Sequence, residues 1–124
     1  MKLHLTTGEG QHRFSGHGYG YVAVNGVRYE RSVLVTPTSV TAWAVDGLET
    51  LSTSDFEPVL ALQPDVLILG TGSTMRFPAR ELTLALASAR VGLEVMDNGA
   101  ACRTYNIVAA EGRRVAAAIL LIGK

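Results

Sequence analysis

Residues 64–86, PDVLILGTGSTMRFPARELTLAL, carry an unbroken apolar run, a glycine break and a helical pattern in one line. Residues 66–69 are apolar at every position, which is what a strand covered on both faces requires. Gly70, Thr71 and Gly72 end it. Pro78 then suits the first turn of a helix, where a missing N–H costs nothing. That helix reaches about Arg90, with Leu82, Leu86 and Ala89 on its buried stripe. Such a strand–break–helix unit belongs inside an α/β sheet, where ligands sit beyond the carboxyl ends of strands.

Downstream the unit repeats. Residues 91–96 form a strand, and Asp97 or Asn98 caps a helix whose inner positions are Ala101, Tyr105, Val108 and Ala109. Gly112 suits the left-handed residue just past its end. Residues 115–122 make a last strand, whose alanines imply close packing against a helix. Upstream, Ser54 and Glu57 have capping-box spacing, which predicts a short helix over 55–62, with Pro58 tolerated in its first turn.

The N-terminal half has a different rhythm. Asn25-Gly26 lies between two β-prone runs, the strongest short-range signal for a hairpin. Its second strand reads 27–35, with Val27, Tyr29, Val33 and Val35 on one face and Arg28, Glu30 and Ser32 on the other. Pro37 stops it, and a further strand covers 40–45. Residues 1–20 are polar and glycine-rich, with His4, His12 and His17 among them. The elements together predict one α/β domain of three layers: a central mixed sheet, an N-terminal β-hairpin and about three helices.

Composition narrows the function. The 124 residues suffice for one core, and 48 % of them are hydrophobic. Eleven basic residues balance eleven acidic ones. A neutral chain lacks the field that attracts nucleic acid, so no nucleic-acid partner is expected. It also lacks colloidal repulsion, so self-association into a homo-oligomer is expected. No apolar run is long enough to span a bilayer, and the first residues do not read as a secretory signal. With one cysteine, this points to a cytoplasmic protein.

If strands 66–69 and 92–96 are parallel, both end at one sheet edge. Two turns then meet there, Gly70-Thr71-Gly72-Ser73 and Asp97-Asn98-Gly99, each leading into a helix. Arg76, Arg80 and Arg103 lie on the same segments, so a small anion is a chemically reasonable ligand. The connection 70–77 is longer than usual between strand and helix, as binding loops often are. Glycines at strand ends and asparagines before helices are equally the ordinary residues of turns and caps. Known phosphate fingerprints are absent: the third glycine of a dinucleotide motif would fall on Met75, and no lysine follows in a Walker pattern. Cys102 falls in the first helical turn, where the dipole lowers a thiol's pKa; a lone cysteine beside Ala100 and Ala101 is more often a small buried residue. The histidines match no zinc spacing, and there is neither a nucleophile elbow nor an H-E-x-x-H helix. Neither a cofactor, a metal nor a catalytic set is expected. The candidate ligand residues are Gly70, Thr71, Gly72, Ser73, Arg76, Asp97, Asn98, Gly99, Cys102 and Arg103.

The segment GAACRTYNIVAAEGRRVAAAIL, preceded by the LGTG strand end, resembles a widespread family of small α/β proteins of unknown function. That family includes the mitochondrial complex I (NADH dehydrogenase) assembly factor 3 and an adipogenesis-associated domain protein. The resemblance runs from Tyr21 onward and looks like a bacterial member. It implies a three-layer domain around a mixed sheet, no established catalytic activity and no catalytic residues to carry over. An interaction or assembly role through protein contacts follows from it, with respiratory complex assembly as the particular case. The anion pocket, bound or catalytic, is the alternative.

Overall fold

A computed structural model describes residues 11–121 of the chain. Among the described residues, eight strands lie in two sheets. The first is a three-stranded meander of β1 (Phe14–Gly18), β2 (Tyr21–Val24) and β3 (Val27–Tyr29). The second has five strands in the order β5-β4-β8-β6-β7: β4 (Val33–Thr36), β5 (Ser39–Ala42), β6 (Val66–Gly70), β7 (Gly92–Met96) and β8 (Val115–Ile119). β6 pairs in parallel with both β7 and β8, while β4 runs antiparallel to β8 and β5, so the sheet is mixed. Three helices follow one another as α1 (Glu57–Ala61), α2 (Arg80–Ser88) and α3 (Asn98–Ala110).

The two faces of the large sheet divide by the period of two. Val66 and Ile68 on β6, with Val115, Ala117 and Ile119 on β8, pack against Ala101, Cys102, Tyr105 and Ala109 of α3, and against Phe14, Val22 and Val24 of the small sheet. Leu67, Leu69, Ala116 and Ala118 face the other way, onto Phe56, Val59, Leu82 and Leu86. α3 thus lies against the first face of the large sheet, and β1 packs against α3. All five residues of β6 and of β8 are buried, as expected of strands sandwiched on both sides.

Several expectations hold. Asn25 and Gly26 both have positive φ, at 49° and 84°, and join β2 to β3. Asp97 caps α3, its Oδ1 accepting from Ala100 N at 2.9 Å, and Gly112 follows the helix at φ 83°.

Others are corrected. The strand expected over 27–35 is two strands in different sheets, broken at residues 30–32 where the chain crosses between them. Buried Ser32 is the hinge: its carbonyl accepts from Trp43 N and its hydroxyl from Leu121 N. The expected capping box on Ser54 and Glu57 lies instead on Ser52 and Asp55, ahead of a short 3₁₀ turn. The strand expected over 40–45 spans Ser39–Ala42. α2 begins two residues after Pro78, and Ala89 is exposed beyond its end. β1 was not expected. His4 and the end of the last expected strand fall outside the described residues.

Candidate functional site

The chain leaves neighbouring strands in opposite directions. After β6 it passes to α2 on one face of the sheet; after β7 it enters α3 on the other. Such a divergence opens a crevice at the carboxyl ends of the strands. Here the crevice encloses ≈ 660 Å³, within the range of small-molecule sites. The two turns singled out from the sequence do meet: Asn98 N donates to Gly72 O at 2.8 Å, and Gly72 N donates to Asn98 Oδ1 at 3.0 Å.

The crevice brings together Thr71, Gly72, Ser73, Arg76, Asp97, Asn98, Gly99 and Arg103. Their hydrogen bonds sort them into two groups. Asn98 is a clasp, since its Nδ2 also donates to Leu120 O at 3.0 Å and its side chain thereby joins the two loops to the end of β8. Buried Thr71 staples its own loop, its hydroxyl donating to Thr74 O at 2.8 Å and accepting from Arg76 N at 3.0 Å. Gly70 lies under the crevice. A Cβ there would collide with Asn98 Oδ1, so glycine is what lets the clasp close.

Ser73 and Arg103 are exposed and point no atom into the described hydrogen-bond network. Arg76 pairs with Glu49 at 2.8 Å, and the guanidinium holds that carboxyl below its ordinary value. Asp97 keeps one carboxylate oxygen on the helix cap, inside the same crevice as Arg103.

Cys102 is turned away. It lies 2 % exposed on α3 beside β1 of the small sheet, and burial pushes its thiol up to about 12. Desolvation therefore outweighs neighbouring Arg103, and Cys102 is the small core residue that its alanine neighbours suggested.

One wall was missed by sequence reasoning. His17, Gly18, Tyr19 and Gly20, from β1 and its turn, close the crevice opposite the two loops. The His17 ring lies against Gly99, where a Cβ would come within 2.9 Å of Cε1. The usable signal was Tyr19-Gly20 between two pairing segments, since Gly20 takes φ 78°.

The profile of the proteins of unknown function DUF498/DUF598 matches residues 14–120. The chain belongs to the DUF498/DUF598 family. Solved structures share the fold: a crystal structure of a Bordetella parapertussis protein is 36 % identical, with a TM-score of 0.84 over 90 % of this chain and 96 % of that one. Among sequences, the chain is similar to the 13 kDa major membrane protein of Francisella tularensis. The identity is 26 % over 109 residues, covering 86 % of this chain and 89 % of the relative. It is 28 % identical over 109 residues to the bovine NADH dehydrogenase [ubiquinone] 1 alpha subcomplex assembly factor 3. That match covers 86 % of this DUF498/DUF598 chain and 58 % of the assembly factor. Among the described residues no helix is long and apolar enough to cross a membrane.

Proposed function

We propose that this chain is a non-enzymatic interaction protein of the cytoplasm that helps assemble a respiratory complex. The likeness to complex I assembly factor 3 carries the reading, because it extends along 86 % of the chain. Self-association belongs to the same reading, as a net charge of zero sets no long-range repulsion against it. Deleting the gene in its source organism should lower the amount of assembled respiratory complex on native gels, and re-expression should restore it. An unchanged complex would end the proposal.

A second reading rests on the crevice. Arg103 and exposed Ser73 face a space bounded by two strand-end loops, which suits a small anion, as ligand or substrate. Asp97 opposes it, so Asp97→Asn, which keeps a good helix cap, should tighten phosphate binding. Saturating phosphate at a hundred times its Kd should stabilise the fold by about 2.7 kcal/mol. No thermal shift with phosphate, nucleotides or carboxylates would remove this reading.

A further inference from the structure

β7 closes one side of the five-stranded sheet. Gly92 N donates to Asp65 O, and Met96 O accepts from Thr71 N, both at 3.0 Å and both toward β6. Backbone groups alternate in direction along a strand. The N–H and C=O of Leu93 and Val95 therefore face outward, away from the sheet. Beside this edge runs a groove of ≈ 610 Å³ whose walls include Met75, Phe77, Thr83 and Ala87. Phe77 is 74 % exposed and Met75 47 %, an aromatic and a thioether left in water beside a strand that, among the described residues, has no partner on its outer side. Exposed apolar surface beside unpaired backbone is what strand-addition sites present.

Glu94 decides what can dock there. Its side chain is exposed at the middle of β7, and among the described residues it forms no ion pair. A second copy pairing by a two-fold axis uses all the outward groups of Leu93 and Val95 only when centred on Glu94. That register sets two carboxylates directly opposite, at the closely spaced position of an antiparallel ladder. Registers centred on Leu93 or Val95 give up part of the ladder. Val91 N is already bound to Leu86 O, and Asp97 is spent on the α3 cap.

We infer that the β7 edge accepts an extended segment of a partner protein as a sixth strand, with a basic residue opposite Glu94 and apolar neighbours against Phe77 and Met75. The alternation of faces fixes this apolar–basic–apolar pattern: Leu93 and Val95 pack toward the α2 side, and Glu94, at the rim of the groove, alternates to the other face of the strand. The inference rests on the interaction-protein reading and supplies its surface and the chemistry of the partner.

The probe is a soluble peptide, Thr-Val-Thr-Val-Lys-Val-Thr-Val-Thr, with a twin carrying Glu at the centre. The lysine peptide should bind the wild type and slow amide exchange at Leu93 and Val95. Glu94→Lys should invert the preference, changing each affinity by about fivefold. Phe77→Ala should weaken both peptides and leave the preference unchanged. Binding indifferent to Glu94→Lys, or without protection of Leu93 and Val95, would overturn the inference. So would a wild-type dimer that Leu93→Pro dissociates, because a second copy would then fill the edge. A gene deletion that spares the respiratory complex while the peptides still dock would end the assembly role alone.

Discussion

Asn98 uses both polar atoms of its side chain on the fold, bridging Gly72 N and Leu120 O across three segments distant in sequence. Asn98→Ala should therefore cost about 2 kcal/mol, since it strands a part-buried donor and acceptor together. Urea denaturation measures this, and a cost near zero would deny the clasp. Cys102 supports a pH prediction. Its thiol rises from an ordinary 9.0 to about 12 in the fold. Between those values the unfolded chain releases a proton that the native chain keeps, so stability is full below pH 9 and falls as pH climbs toward 12. Burial raises the Tyr105 hydroxyl as well, which steepens the fall. Cys102→Ala should flatten the decline in denaturation midpoints measured from pH 9 upward. Native protein at pH 8 should resist alkylation until unfolded, and rapid labelling would contradict the buried, neutral thiol.

At the scale of elements, α3 is both core and clamp. Asn106 accepts from Phe14 N at 2.9 Å and donates to Phe14 O at 2.8 Å, binding β1 as a neighbouring strand would. Tyr105 adds an edge-to-face contact with Phe14 at 5.2 Å, and its hydroxyl donates to His12 O. Asn106→Ala should loosen β1 selectively. Hydrogen exchange should quicken at Phe14–Gly18 while β6 and β8 stay protected, and uniform quickening would show that the small sheet is no separate cooperative unit. Because β1 carries His17 and leads into Tyr19, the same variant should also open one wall of the crevice.

For the whole molecule the deciding strand is the last one. β8 inserts between β4 and β6, so residues 115–119 complete a sheet whose other strands come from both halves of the chain. Its alanines leave room for α3 on one face and for α1 and α2 on the other. Ala117→Leu, at a fully buried position against α3, should destabilise by about 1–3 kcal/mol through overpacking. Thermal unfolding tests this; an unchanged midpoint would mean the layers are loosely packed there.

Local signals carried a good part of this molecule. Asn25-Gly26 wrote its own hairpin through positive φ, the run 66–69 announced a doubly covered strand, and Asp97 with Gly112 bracketed α3 by capping chemistry alone. The meeting of the Gly72 and Asn98 turns followed from parallel pairing of their two strands, a step the sequence pattern supported. Other features depend on partners far away in the chain. β1 alternates glycine with polar residues and becomes a strand only because β2 and Asn106 satisfy its backbone. The continuous alternation of 27–35 hid a break, since Ser32 turns the chain only where Trp43 and Leu121 arrive to bond it. Cys102 kept its proton for the same reason: its alanine neighbours suggested a core residue, but the tertiary packing around it set the desolvation.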